Sequence, residues 1–175
     1  MARTKKPAAK KRSTRAGVTV TENGDEVSNR QRAVPIAIAP LREFLQQIKN
    51  DLGLASSQVT ICLVSDRTIA RMNKTFRKVS GPTDVLSFPA ETERKPVKFI
   101  AGKVAERYET ELGDVAIAPA TAQRYAKKDG RPLPAELRIL MLHGILHLLG
   151  YDHESDSGEM NRLEKRLRKR YGLPQ

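Results

Sequence analysis

Apolar and polar positions alternate along this chain in blocks with two distinct periods. "AVPIAIA" at 33–39 is a short apolar run that reads as a strand. "LREFLQQIKNDLGL" at 41–54 repeats its apolar residues at helical spacing through Leu41, Phe44, Leu45, Ile48 and Leu52. "QVTICLV" at 58–64 alternates around Val59, Ile61 and Leu63, as a strand does. Asp66 is placed to N-cap a second helix over "RTIARMNKTF". Gly81-Pro82 marks a turn before the short strand "TDVLSF". Residues 90–111 are polar with scattered apolar positions, which predicts a long loop or an inserted hairpin. "LGDVAIAP" at 112–119 is a further strand, and 120–129 has a helical pattern.

The most apolar segment, "PAELRILMLHGILHLLG" at 134–150, predicts a buried helix with Pro134 in its first turn and Gly150 closing it. "DSGEMNRLEKRLRKRYG" is a final amphipathic helix. The expected order, β-α-β-α-β-β-α-α-α without internal repeat, describes an α+β fold. It is a single domain with a mixed sheet of about four strands, helices packed on it, and one distinctive helix in the C-terminal third.

Residues 1–31 break this pattern. They hold few large apolar side chains, and the first 32 residues carry nine basic and three acidic ones. Such a segment buries too little surface to offset chain entropy, so it reads as a disordered basic arm ahead of a domain at 32–175. The whole chain has net charge +12, which leaves the folded part basic as well. A basic surface attracts polyanions, nucleic acid above all, although a solvated charged face serving solubility has the same composition. No run is long enough to span a membrane, and the N-terminus lacks the apolar centre of a secretory signal. The single cysteine, Cys62, lies in an apolar strand and reads as a core residue. One unpaired cysteine also suits a reducing cytoplasm.

Three histidines change the picture. His143, His147 and His153 are all that the chain has, and they fall within eleven residues. Four residues apart on a helix, His143 and His147 share a face, about 6 Å apart along the axis. Gly150 ends the helix in a left-handed turn, and the returning chain can deliver His153 as a third ligand. Three imidazoles leave a coordination position open, as at catalytic zinc sites whose metal acidifies a water. A packed core histidine is the ordinary alternative for one such residue, not for three in this spacing. The pattern H-x-x-x-H-x-x-G-x-x-H has metzincin spacing, but Gly144 stands where those proteases carry their glutamate base, which disfavours proteolysis.

The string "HGILHLLGYDH" resembles the signature H-G-x-L-H-L-x-G-Y-D-H of the YbeY family of bacterial metal-dependent endoribonucleases, or rRNA maturation factors. "MNKTFRKVSGPTDVLSFP" at 72–89, "ELGDVAIAP" and the final helix with Glu159 and Met160 resemble further segments of that family, in the same order. The resemblance spans about 33–172. The arm at 1–31 and the length of the 90–111 stretch depart from the family pattern. The resemblance implies a cytoplasmic single-strand endoribonuclease of ribosomal RNA, acting on the 3′ end of the small-subunit rRNA and in ribosome quality control, with the small ribosomal subunit as partner. It implies a zinc-type ion on His143, His147 and His153, and it places Arg77 in the active-site cleft.

The residues alone leave more room. Arg77 could clamp a phosphate and stabilise transition-state charge, or be an exposed loop arginine. Asp84 and Asp114 could orient a ligand histidine or cap turns. Thr83 and Ser87 could reach phosphate or satisfy strand ends, and Asp152 could fix the turn before His153. Two other functions remain open at this level: an RNA-binding ribosome-assembly factor with a structural metal, and a metal hydrolase of small molecules or peptides.

Overall fold

In the computed structural model, the described residues are 27–55, 57–90, 99–100, 103–104, 111–153 and 155–175. Four strands form the main sheet in the order β1-β2-β6-β3. These are β1 (Val27–Asn29), β2 (Gln58–Leu63), β6 (Glu111–Ile117) and β3 (Val85–Pro89). β1, β2 and β6 run parallel, while β3 runs antiparallel to β6 at the sheet edge. Within the 90–111 stretch, β4 (Phe99–Ile100) and β5 (Lys103–Val104) pair as a small antiparallel ladder, in keeping with a hairpin. Five α-helices complete the described fold: α1 (Ala39–Leu52), α2 (Asp66–Met72), α3 (Pro119–Lys128), α4 (Leu133–Leu148) and α5 (Glu159–Arg170).

The strand expected at 33–39 is absent, and β1 lies instead inside the segment read as the basic arm. Only Val27 of β1 is well buried, so the strand carries no alternation to announce it. Residues 33–38 cross from β1 to α1 as irregular chain. The buried Gln31 side chain holds that crossing by donating to the Val34 carbonyl at 2.8 Å and accepting from the Val34 amide at 2.9 Å. Val34 is buried, and Ile36 and Ile38 pack on the core without a strand partner. The folded part therefore begins by Val27, and residues 1–26 lie outside the described residues.

The two faces of the sheet bury different sets. Val59, Ile61 and Leu63 of β2 join Val115 and Ile117 of β6 in the larger core, with side chains of α1, α4 and α5. Cys62, Ala116 and Leu86 face the other way, toward Ile69 and Met72 of α2. α4 is apolar on nearly every side because it is central, packing on β3 and β6 and against α1, α3 and α5. Cys62 is a buried core thiol, as expected, and burial pushes its pKa up.

The cap of α2 differs from expectation. Ser65, not Asp66, is the N-cap, and its Oγ accepts from the Thr68 amide at 3.2 Å. The helix continues past Met72 into one π-helical turn, Asn73–Arg77.

Candidate metal centre and its cleft

α4 ends as the sequence requires. Gly150 takes φ +90°, the Gly150 amide donates to the His147 carbonyl at 3.0 Å, and the Tyr151 amide donates to the Leu146 carbonyl at 3.1 Å. This pair of bonds is the Schellman closure, which satisfies the last carbonyls of the helix and reverses the chain. Asp152 secures the next turn: its carboxylate accepts from Ser155 Oγ at 3.0 Å, and its carbonyl accepts the amides of Ser155 and Asp156. His153 thereby returns to the helix end.

The three histidines converge. One nitrogen from each of His143, His147 and His153 lies within 4.8 Å of the other two. His143 Nε2 and His147 Nε2 are 3.1 Å apart. Two imidazoles on one tetrahedral metal with bonds of about 2.0–2.1 Å have nitrogens roughly 3.4 Å apart, so only small adjustments are needed to share an ion. A set of three neutral imidazoles suits zinc-type transition metals rather than magnesium or calcium.

Glu164 of α5 completes the site, and the sequence reading missed it. Its Oε2 lies 2.9 Å from His143 Nδ1. A carboxylate there fixes the proton on Nδ1 and leaves the Nε2 lone pair for a metal. Burial would raise the Glu164 pKa, but the hydrogen bond with His143 and the charges of His143 and Arg168 outweigh it and hold the group below its ordinary value. Arg168, one turn along α5, approaches Glu164 Oε1 at 3.4 Å and donates through Nε to the Pro174 carbonyl at 2.7 Å. The start of α5 is fixed in turn by Asp156, whose carboxylate accepts the amides of Gly158 and Met160 at 2.7 and 2.9 Å. His147 is half-buried, and burial together with the neighbouring histidines lowers its pKa.

The aspartates singled out beforehand do other work. Asp84 accepts from the Val85 amide at 2.9 Å and from Thr83 Oγ1 at 3.2 Å, a local turn. Asp114 pairs with Phe88 across the sheet, two residues from Ala116, and so faces the α2 side, away from α4. Ser87 faces α4, and its hydroxyl donates to the Gly144 carbonyl at 3.2 Å. A Cβ on Gly144 would stand 2.5 Å from Val115 Cγ1, so the position of the metzincin base points into the sheet and holds no side chain at all.

The histidines open onto a cleft of about 500 Å³ along the edge strand β3. Arg77, from the π-helical turn, lines the same cleft, as do Phe76, Phe88 and Ser87. Sixty-five residues of chain lie between Arg77 and His143, and the fold brings both to one cavity.

Comparison with known proteins places the chain in a family. The family model described as Endoribonuclease YbeY matches residues 25–172. A Koribacter versatilis protein named Endoribonuclease YbeY is 40% identical over 131 residues, 75% of each chain. The Helicobacter pylori protein of that name is 41% identical over 131 residues, 75% of this chain and 83% of the other. The solution structure of TM1509 from Thermotoga maritima superposes with TM-score 0.56 at 26% identity, covering 84% of this chain and 89% of that one. Family model, relatives and architecture agree, and the chain belongs to an enzyme family, endoribonuclease YbeY.

Proposed function

We propose that this protein is a metal-dependent, single-strand endoribonuclease of ribosomal RNA. Its role would be in the cytoplasm, maturing the 3′ end of the small-subunit rRNA and serving ribosome quality control beside the small subunit. The observation that carries the reading is the cleft that holds three converging histidines and Arg77 together. His143, His147 and His153 hold the ion, with zinc as the choice that suits three imidazoles. When bound, such an ion supplies a Lewis acid for phosphate and a source of hydroxide near neutral pH. Glu164 keeps the His143 ring in its ligating tautomer. Arg77 binds the phosphate through its planar fork of N–H groups and offsets the charge that develops there.

Among the described residues the cluster comprises three histidines, with no cysteine or carboxylate as a fourth member. That favours catalysis over the alternative of an assembly factor with a closed, structural metal. The basic surface and the lack of a base at Gly144 weigh against a hydrolase of small molecules or peptides.

The test is cleavage of a defined single-stranded RNA by wild type, metal-stripped protein and His147→Ala. Wild type cuts, stripped protein does not until zinc is returned, and His147→Ala stays inactive. Equal cleavage by all three preparations would reject the reading. A small-subunit rRNA precursor with a 3′ extension should be cut ahead of an unrelated RNA of the same length.

A further inference from the structure

Three large apolar side chains are exposed among the described residues: Phe76, Val79 and Tyr125. Two of them come from one short stretch, 76–79, and Phe76 also lines the histidine cleft. Phe76 is 43% exposed on the cleft wall, so part of its ring is open to whatever enters the cleft. Its ring meets Phe88 of β3 at a centroid distance of 5.1 Å and an interplanar angle of 74°. The two rings therefore pack edge to face, and no ring lies parallel to Phe76 among the described residues.

The backbone here is built rather than loose. The π-helical turn places Phe76 and Arg77 side by side on the cleft wall. Such turns recur at functional sites, where the extra residue re-aims side chains. Buried Asn73 ties the two ends of the segment together. Its Nδ2 donates to the Gly81 carbonyl at 3.0 Å, and its carbonyl accepts from the Val79 amide at 3.4 Å. Lys78 ends the turn at φ +60°, the one non-glycine residue with positive φ among those described, and its Nζ donates to the Thr75 carbonyl at 2.9 Å. Lys74, Arg77 and Lys78 make this turn strongly basic.

We propose that Phe76, backed by Phe88, is a nucleobase-stacking subsite that holds one unpaired base of the RNA while the adjoining phosphate lies toward Arg77 and the histidines. The inference rests on the ribonuclease reading and adds to it how a single strand is chosen. A flat aromatic face beside cations fits a base and its phosphate, since stacking needs only a π-face and therefore tolerates any sequence. A duplex offers no free base face to such a ring, so the subsite favours single strands. The anionic backbone complements Lys74, Arg77 and Lys78, whereas the apolar side chains of a protein partner would gain nothing from them.

Stopped-flow mixing of the zinc-loaded enzyme with single-stranded oligoribonucleotides tests this. Each oligonucleotide carries 2-aminopurine at a different position, so that one trace records stacking as a fluorescence quench and cleavage as it follows. Wild type should quench strongly at one position next to the cut, and not at all with the duplexed oligonucleotide. Phe76→Leu should lose that quench and bind about tenfold more weakly. Phe76→Tyr should restore both, and all three proteins should hold the same zinc. Cleavage by wild type with no quench at any position overturns the subsite and leaves the nuclease reading standing. So does unchanged affinity and quench in Phe76→Leu. Wild type that neither binds nor cleaves RNA overturns the nuclease reading itself, and the subsite with it.

Discussion

The Glu164 carboxylate stands 2.9 Å from Nδ1 of His143, bridging α5 to the histidine helix α4. This contact fixes which nitrogen of His143 faces the cleft, and it would make a metal held by the three histidines depend on a helix that contributes no ligand. Outer partners of this kind typically contribute 10- to 100-fold in metal affinity. Glu164→Ala should therefore weaken zinc binding by about that factor. Glu164→Gln, which still accepts a hydrogen bond but carries no charge, should fall between it and wild type. Competition against a zinc-binding dye measures the affinities. Nitrogen NMR of the wild type should find His143 protonated at Nδ1. Identical affinities in all three proteins would show that the carboxylate does not orient the ligand.

Acid should act on His147 through folding as well as through the metal. Burial lowers its pKa from the ordinary 6.5, with His143 and His153 adding repulsion. The unfolded chain therefore takes up a proton at a pH where the folded metal-free protein does not. The resulting stability is complete above the unfolded pKa and is lost as pH falls through the lowered folded value. Urea midpoints of metal-free protein should drop between pH 7.5 and 5.5, and drop less in His147→Asn. A slope unchanged by the substitution would remove His147 as its source. Zinc affinity should fall over the same range, because protonated imidazoles do not ligate.

Two glycines of the histidine motif should fail in different ways. At Gly144 a Cβ meets Val115 Cγ1 at 2.5 Å and Ser87 Oγ at 3.2 Å, so Gly144→Ala must displace the buried Val115 side chain or shift α4 on the sheet. Overpacking of this kind costs about 1–3 kcal/mol, readable as a lower urea midpoint. At Gly150 no atom lies within 4 Å of an added Cβ, and the obstacle is the backbone at φ +90°. Gly150→Val should cost about 1–2 kcal/mol from left-handed strain and misplace His153, weakening zinc more than Lys127→Ala does. Gly150→Asn should be milder, since asparagine tolerates that region. Equal zinc affinity in Gly150→Val and Lys127→Ala would mean that the reversal does not deliver His153.

Arg77 and the N-terminal cations should separate in a salt series. Arg77→Ala should lower the single-turnover cleavage rate with little change in zinc content or overall RNA affinity. Removing residues 1–17, with Lys5, Lys6, Lys10, Lys11 and Arg12, should weaken binding chiefly at low salt and flatten its salt dependence. Normal cleavage by Arg77→Ala, with chemistry abolished at every salt by the truncation, would reverse the two roles.

The histidine motif was fully legible in the sequence because its geometry is local. A helix places His143 and His147 on one face, and a glycine at φ +90° turns His153 back, all within eleven residues. The long periodic helices and the strands β2 and β6 were legible for the same reason: burial of one face writes a period into the chain. β1 was not. Its stability comes from hydrogen bonds to β2, which leave no mark on three residues with one buried side chain. The run at 33–39 misled because its apolar residues pack on the core from an irregular crossing. Asp114, which by sequence could orient a ligand histidine or cap a turn, is put on the opposite face of the sheet by the register of β6 with β3. Glu164 sits among the many charges of α5, where nothing in the spacing distinguishes it. Only the packing of α5 against α4 decides that this carboxylate, and no other on that helix, meets His143. The cleft that gathers Phe76, Arg77 and the three histidines is likewise a tertiary product, since it forms between segments far apart in sequence at the open edge of β3.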